Sequence, residues 1–350
     1  MGFLYRKLLR KIFFTFDPET VHDAVIKSVR TLQSIGPARL ALELMARGKD
    51  RPVTVAGIRF KNPIGLAAGF DKNCEVPLML AKLGFGFLEM GTITFRAQNG
   101  NPRPRVFRLG AHKGIINRMG FNNVGAYEAA RRLEKLGPVG VPLGINIGKN
   151  ADCSLEDAPK NYLDTLKVVY PFCDYVALNI SSPNTLQLRA LHEKERLARL
   201  LDPVLDYING AGMKKPLFVK IAPELDDSQL EELVAAAVER GLGLIATNTT
   251  VRREHLPARW RSYEGGLSGL PLRNISNEML KKVSELAGGR VPLIGVGGVS
   301  DGPSAAEKFR RGADLVQIYS GLIYEGPFLV RDILTYLEKH PWKRVPASGK

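Results

Sequence analysis

The sequence has few cysteines and no long apolar run. Its three cysteines, Cys74, Cys153 and Cys173, are an odd number and have no C-x-x-C spacing. This argues against a disulfide framework or a zinc site and fits a reducing compartment. No apolar stretch approaches the ~20 residues that span a bilayer. The N-terminus also lacks the uninterrupted apolar core and small-residue cleavage site of a signal peptide, so we expect neither a spanning helix nor a cleaved leader.

Length and charge restrict the class of protein. Hydrophobic residues make up 45% of the 350 residues and charged residues 24%, as in ordinary soluble globular proteins. An α/β barrel of this size is often a single domain. The formal net charge of +15 indicates an anionic partner, such as nucleic acid, anionic lipid or an acidic small molecule. Charge alone does not choose among these partners.

Residues 3–16 predict a basic amphipathic helix. On a helical wheel, one half carries the basic residues Arg6, Lys7, Arg10 and Lys11, with Phe3 and Phe14 as apolar exceptions. The other half is apolar and carries Leu4, Tyr5, Leu8, Leu9, Ile12, Phe13 and Phe16. Such a helix can lie in a lipid interface, with its cations on anionic head groups at ~1 kcal/mol each. The alternative is a helix that docks on its own domain and leaves its charges in solvent.

A second helix is expected directly after the first. Asp17, Pro18 and Glu19 have the pattern of an N-cap, a proline at the first helical position and an acid in the first turn. This helix should end near Gly36-Pro37. Two short helices thus precede the main body as a small unit, which would expose apolar surface unless it found a partner.

The main body alternates short apolar strands with helices. A small hairpin is expected at residues 53–60, with its turn at Ala56-Gly57. The strands that follow are predicted at 64–67, 87–90, 143–147, 175–179, 218–221, 244–247, 293–296 and 316–319. The helices between them are predicted at 77–83, 127–136, 158–170, 194–208, 228–240, 275–286 and 304–311. Eight such alternations predict an α/β fold with a parallel sheet closed into a (β/α)8 TIM barrel.

The predicted strand ends carry amides, lysines and glycines. In a barrel of this type the chemistry lies on the loops after the strands. Those loops contain no histidine and only one acid, Asp71, which excludes a metal cluster of His and carboxylates and disfavours a two-carboxylate glycosidase. A ring of amides suits a flat heterocycle edged with C=O and N–H groups, and lysines suit an anionic ligand. Gly297-Gly298 and Tyr319-Ser320-Gly321 lie where barrels bind phosphate.

Several strings at these positions resemble one family. They are GLAAGFDKN, GNPRPR, NRMGFNN, GINIGKN, NISSPNT, KIAP, ATNTT, GGLSG, IGVGGV and QIYSG. Together they are similar to dihydroorotate dehydrogenase of the quinone-linked class 2 type, over residues 50–335, and FDPETVH at 16–22 extends the resemblance.

The resemblance implies a flavoenzyme of pyrimidine (UMP) synthesis. It would oxidise (S)-dihydroorotate to orotate with FMN as first acceptor and a membrane quinone as final acceptor, and would bind no nucleic acid. We expect residues 1–45 to be a helical membrane and quinone-access segment and residues 46–350 an FMN-binding barrel. The protein would then sit peripherally on the cytoplasmic side of the cell membrane.

The resemblance also implies roles for individual residues. Ser182, in the loop after the fourth strand, matches the catalytic base, which takes a proton while a hydride leaves for the flavin. Thr185 and Phe121 match positions that flank a proton relay. The substrate should contact Lys72, Asn117, Arg118, Met119, Gly120, Phe121, Asn179, Asn184, Asn248 and Thr249. FMN should contact Ala68, Gly69, Phe70, Asp71, Lys72, Thr92, Asn146, Asn179, Lys220, Thr247, Gly269, Gly298, Tyr319 and Ser320.

One departure and three alternatives remain. Phe95 follows GTIT where the family pattern has proline, near Arg103, a candidate quinone-side residue. A soluble fumarate- or NAD-linked dihydroorotate dehydrogenase is disfavoured because the soluble class 1 enzymes carry cysteine at the position of Ser182. A flavin barrel that reduces uridine in tRNA would need a catalytic cysteine, and none lies in that loop. A basic membrane scaffold with a decayed site is disfavoured by the intact amides and lysines.

Overall fold

Eight parallel strands close into a barrel in the computed structural model, which describes residues 2–341. Residues 342–350, which we included in the barrel domain, lie outside the described residues. The strands are β1 (Val53–Val55), β2 (Ile58–Phe60), β3 (Ile64–Leu66), β4 (Phe87–Ile93), β5 (Val106–Leu109), β6 (Gly114–Asn117), β7 (Leu143–Ile147), β8 (Tyr175–Asn179), β9 (Leu217–Ile221), β10 (Gly243–Ala246), β11 (Gly266–Gly269), β12 (Leu293–Val296) and β13 (Leu315–Ile318). Around the barrel the order is β3-β4-β7-β8-β9-β10-β12-β13, which confirms the predicted TIM barrel and its eight strands.

Helices precede the barrel and, as predicted, follow its strands. They are α1 (Gly2–Leu4), α2 (Arg10–Thr15), α3 (Pro18–Gln33), α4 (Gly36–Ala46), α5 (Pro77–Ala81), α6 (Ala126–Leu136), α7 (Ala158–Val169), α8 (Lys194–Gly210), α9 (Asp227–Arg240), α10 (Ala258–Arg261), α11 (Arg273–Ala287), α12 (Gly302–Arg310), α13 (Ser320–Glu325) and α14 (Leu329–Lys339). Their ends have local causes. In α9 the Asp226 carboxylate accepts from the Gln229 N–H at 2.8 Å, and the helix stops at Gly241, whose φ is +64°.

The closed end of the barrel is filled by an aromatic layer. The rings of Phe87 and Tyr175 contact edge-on at 6.4 Å between centroids, and Tyr175 meets Phe218 at 5.4 Å. Neighbouring strands leave room for these rings because they carry glycine: a Cβ on Gly144 would lie 2.1 Å from the Tyr175 ring. The β1–β2 hairpin, predicted correctly with Ala56-Gly57 at its turn, covers this end through Phe60.

A second sheet lies outside the barrel, and the sequence analysis did not predict it. Strand β6 pairs antiparallel with β5 on one side and with β11 on the other. In this sheet Asn117 lies opposite Gly266, and Gly114 opposite Gly269. The strands β5 and β6 carry a polar residue within or at the end of the strand and β11 is rich in glycine, so this sheet lacks the continuous apolar pattern that marks the barrel strands.

The first helix docks on the barrel through a side that the helical wheel did not predict. Residues Tyr5–Leu9 form a π-helical turn between α1 and α2, which changes the phase of the side chains. The Tyr5 hydroxyl donates to the Ile323 carbonyl at 2.7 Å and Arg10 to the Tyr324 carbonyl at 2.8 Å. Tyr5 therefore belongs to the docked side rather than to the apolar half, and Arg10 points at protein rather than at solvent or lipid.

The second predicted helix is confirmed, but a third helix follows it. Pro18 begins α3, and the Asp17 carboxylate accepts from the Thr20 N–H at 2.8 Å. As expected, α3 ends near Gly36-Pro37, at Gln33, and these two residues begin α4, because proline is well tolerated in the first turn of a helix. None of the helices in residues 2–341 is long and apolar enough to cross a membrane.

A buried ion pair fixes α3 to the barrel. Glu19 is 4% exposed and accepts from the Arg105 guanidinium at 2.6 and 3.1 Å. Arg103 pairs with the same carboxylate at 3.0 Å and with Asp23 at 3.1 Å. Because an unpaired buried charge is costly, these contacts define where α3 lies beside the open end of the barrel.

Candidate active site

A cavity opens where the barrel strands end, and most of the predicted site residues line it. It encloses about 1000 Å³ of space, including its open mouth. The predicted residues in its wall are Ala68, Gly69, Lys72, Thr92, Asn117, Met119, Gly120, Phe121, Asn179, Ser182, Asn184, Lys220, Thr247, Asn248, Thr249, Gly269, Gly298, Tyr319 and Ser320. Most of them come together because all eight parallel strands point their carboxyl ends at this mouth, whereas Asn117 to Phe121 and Gly269 come from the outer sheet of β6 and β11 and the loop after β6.

Four predicted residues lie behind the wall or turn away from it. The Arg118 guanidinium donates to the Pro104 carbonyl at 3.1 Å and approaches Glu264 at 3.7 Å, so it points outward. The Asp71 carboxylate accepts backbone N–H groups of the loop that follows it, at 2.8 to 3.2 Å, and shapes that loop. Phe70 packs edge-on against Tyr319 at 6.4 Å. Asn146 is fully buried just beneath the wall.

The cavity wall also contains residues that sequence reasoning missed. These are Ala67, Ser268, Leu272, Val296, Val299 and Gln317. For Val296 and Gln317, which lie on barrel strands, the missed signal was the period of two along a strand, which turns alternate side chains inward. Two residues beyond the inward-facing Phe87 and Leu315 come Glu89 and Gln317, which form a polar layer above the aromatic one.

Hydrogen bonds join the side chains of Asn146 on β7, Asn179 on β8 and Asn248, which follows β10. The Asn146 Oδ1 accepts from the Thr92 hydroxyl at 2.6 Å and from Asn179 Nδ2 at 3.2 Å. The Asn179 Oδ1 accepts from Asn248 Nδ2 at 3.0 Å. Beneath them, Asn146 Nδ2 donates to the buried Glu89 carboxylate at 2.9 Å. A buried network whose members are all paired holds its amides rigidly.

Two lysines bring positive charge to this wall. Burial lowers the pKa of Lys72 to about 8, although the nearby carboxylates of Glu19 and Asp23 act in the opposite direction. Lys220 is 6% exposed, and burial lowers its pKa while the Glu89 carboxylate opposes that shift. Both ammonium groups are therefore poorly solvated and suited to an anionic or electron-rich ligand.

The loop after β8 brings Ser182 to the mouth of the cavity. Its hydroxyl oxygen accepts from the Asn184 N–H at 3.3 Å, which is the serine turn that could also have explained this residue. The Asn184 Nδ2 donates to Asn117 Oδ1 at 3.2 Å, so this loop is tied to the outer sheet. The Thr185 hydroxyl is buried and has no hydrogen-bond partner among the described residues.

The opposite end of the cavity is built from glycines and serines. Gly269 and Gly298 have φ of +85° and +73°, and a Cβ on Gly298 would lie 2.4 Å from Arg273. The hydroxyls of Ser268 and Ser320 are 2.8 Å apart. Bare backbone and hydroxyl donors with no nearby carboxylate in this wall form a cradle that fits a phosphate group.

Comparison with known proteins agrees with this geometry. The family model described as Dihydroorotate dehydrogenase matches residues 52–340. A relative from Chromobacterium violaceum named dihydroorotate dehydrogenase (quinone) is 48% identical, with 92% of this chain and 94% of that protein covered. One of the same name from Cellvibrio japonicus is 45% identical, with 92% and 95% covered.

Solved structures agree as well. A crystal structure of DHODH from Eimeria tenella in complex with ferulenol superposes with a TM-score of 0.85 at 34% identity, and 95% of this chain and 97% of that chain are covered. The family match spans most of the chain, and both relatives align with more than nine-tenths of it. The chain therefore belongs to the dihydroorotate dehydrogenase family.

Proposed function

We propose that this protein oxidises (S)-dihydroorotate to orotate in pyrimidine synthesis, with FMN as first acceptor and a membrane quinone as final acceptor. The observation that carries the proposal is the composition of one cavity. At one end it has Lys72, several asparagines and Ser182, and at the other a phosphate cradle. Relatives that carry the quinone-linked name align over almost their whole length.

The residues of the barrel fit FMN. Gly269, Gly298 and Ser320 would hold the phosphate, and Lys220 would lie against the ring, where its charge stabilises electron density. Thr92 and Thr247 complete the wall between these two ends. When bound, FMN supplies the hydride-accepting chemistry that no side chain has.

The substrate would lie between the loops that follow β6, β8 and β10. Lys72 would pair with the carboxylate, because it is a buried cation in the same wall as Asn117 and Asn184. Asn179 and Asn248 would read the C=O and N–H edge of the pyrimidine ring, since an amide matches both kinds of group. The remaining predicted contacts, Met119 to Phe121 and Thr249, border the same space.

Ser182 would take the proton from the substrate carbon. It is 6% exposed and lines the cavity. A serine hydroxyl is a weak base, so it must pass the proton on. The buried Thr185 hydroxyl in the same loop, which is unpartnered among the described residues, is a candidate to continue that path.

Ser182→Ala is expected to lower dihydroorotate turnover by at least about a hundredfold, because it removes the proton acceptor. Orotate affinity should remain, since Lys72 and the asparagines are untouched. The measurement is steady-state turnover together with orotate titration. Ser228→Ala, at the exposed start of α9, serves as the control. Near-normal turnover in Ser182→Ala would place the base elsewhere.

Orotate binding should depend on the charge of Lys72. With a pKa of about 8, the ammonium is present below that pH and is lost above it. Affinity for the anionic ligand is therefore expected to be full at low pH and to fall by about tenfold per unit above the pKa. Calorimetric titration across this range tests it, with Lys72→Met as the control that binds weakly and without a slope. A flat profile in the unsubstituted protein would remove Lys72 from the carboxylate site.

We also propose that residues 1–45 are the membrane and quinone-access segment, on the cytoplasmic side of the cell membrane. The docked first helix leaves an apolar surface uncovered, as do α3 and α4. The exposed side chains are Phe3, Leu4, Leu8, Leu9, Ile12, Phe16, Leu32, Ile35, Leu40, Leu44 and Met45. Lys7 and Lys11 are exposed beside them, as suits a helix lying on anionic lipid.

An aromatic contact chain leads from this unit to the cavity. The His22 ring of α3 packs edge-on against Phe70 at 5.5 Å, and Phe70 against Tyr319, which lines the cavity. Burial lowers the pKa of His22 to about 3, so its ring is neutral at physiological pH. An uncharged, aromatic path of this kind suits an apolar quinone ring. Arg103 forms salt bridges with Glu19 and Asp23, which lie on the same helix as His22.

The double variant Leu8→Glu/Ile12→Glu is expected to lose binding to anionic vesicles and most quinone turnover, because it places carboxylates in the exposed apolar surface. Flavin reduction by dihydroorotate should be unchanged, since the barrel is untouched. Vesicle co-sedimentation and single-turnover absorbance measure the two effects. Met213→Glu, which alters another exposed apolar residue outside this unit, is the control. Equal loss of both half-reactions would contradict the assignment.

A further inference from the structure

We propose that Glu89 is a positioning residue, whose buried carboxylate fixes the direction of the hydrogen-bonded amide chain that faces the substrate. Glu89 itself does not line the cavity but lies one layer below it, on β4. The proposal rests on the proposed function for the identity of the ligand. It concerns which end of each amide, the oxygen or the NH₂ group, is free to face that ligand.

The carboxylate is surrounded by donors. Glu89 has no exposed surface and accepts from Asn146 Nδ2 at 2.9 Å, from Gln317 Nε2 at 2.6 Å and from the Tyr175 hydroxyl at 3.2 Å. An ionised carboxylate has only acceptors, so each of these neighbours must turn a donor toward it. Asn146 and Gln317 could otherwise adopt either of two orientations, since the O and NH₂ ends of an amide are nearly equal in size.

The direction set at Glu89 continues through the network. Because Asn146 Nδ2 donates to Glu89, the Asn146 Oδ1 is free to accept from Asn179 Nδ2, at 3.2 Å. Asn179 in turn offers its Oδ1 to Asn248 Nδ2 at 3.0 Å, and Asn248 accepts from the Thr249 N–H at 2.8 Å. A backbone N–H is only a donor. The Thr249 N–H thus favours at Asn248 the direction that is compatible with the one the carboxylate sets at Asn146, whereas Asn146 and Gln317 themselves are oriented by Glu89.

Gln317 links the Glu89 carboxylate directly to the wall of the cavity. Its Nε2 is held by Glu89, and its Oε1 is buried and has no hydrogen-bond partner among the described residues. Gln317 also lines the cavity, so the carboxylate determines that the oxygen of this amide, and not its NH₂ group, is left without a partner among the described residues. A glutamine at position 89 would offer an NH₂ group as well as an oxygen, and Gln317 or Asn146 could then reverse.

The test compares Glu89→Gln with Tyr175→Phe, each in the flavin-loaded protein. Glu89→Gln keeps the size of the side chain but loses its acceptor-only character, whereas Tyr175→Phe removes one donor to the same carboxylate and leaves the amides in place. We expect the orotate dissociation constant to rise at least about tenfold in Glu89→Gln, equivalent to ~1.4 kcal/mol. In Tyr175→Phe it should change little. Flavin content and the melting temperature are measured in parallel.

Two outcomes of this comparison would overturn the proposal. Unchanged orotate affinity in Glu89→Gln would mean that the amides keep their direction without the carboxylate. An equal loss in both variants would assign the effect to packing of the buried layer. Failure of the unsubstituted protein to bind orotate would instead count against the proposed function.

A neutron structure of the unsubstituted protein gives a second test that does not depend on any variant folding. Deuterium on the amides should lie on Asn146 Nδ2 and Gln317 Nε2 facing Glu89, and on Asn179 Nδ2 facing Asn146. The carboxylate of Glu89 should carry no deuterium. A reversed amide or a protonated Glu89 would refute the proposal whatever the protein binds.

Discussion

Closure of the parallel barrel is the constraint on which the rest of the structure depends. Eight strands that run in one direction around a closed sheet must end at one mouth. Alternate side chains on each strand must then point into the barrel. Residues far apart in sequence, such as Lys72, Asn179 and Lys220, meet in one cavity for this reason alone. No long-range pairing of these side chains is needed to bring them together.

The barrel changes from apolar to polar along its axis. Phe87, Tyr175 and Phe218 fill the closed end, and Glu89 and Gln317 lie one inward position higher. Buried polar groups are stable only when they are hydrogen-bonded, and here the carboxylate supplies the acceptor that the amides above it need. The floor of the cavity is therefore a connected network rather than a set of separate side chains. A network of this kind gives the ligand a rigid surface and makes its members hard to replace singly.

Much of the fold could be predicted because buried parallel strands are short continuous apolar runs between helices. The outer sheet of β5, β6 and β11 could not, since Gly266–Gly269 has no such pattern. The helical wheel of residues 3–16 failed at Tyr5, where a π-helical turn changes the phase. At the site, the resemblance predicted the segment that contains Arg118, but it did not predict that the Arg118 side chain points outward.

The central claim is that one cavity joins dihydroorotate oxidation to a membrane quinone. Anaerobic stopped-flow absorbance of the flavin-loaded protein tests it most directly. Dihydroorotate is expected to bleach the visible flavin absorbance, and a short-chain ubiquinone analogue added afterwards is expected to restore it. Absence of bleaching by dihydroorotate would contradict the assigned substrate. Recovery with fumarate or NAD⁺ but not with the quinone would contradict the assigned acceptor.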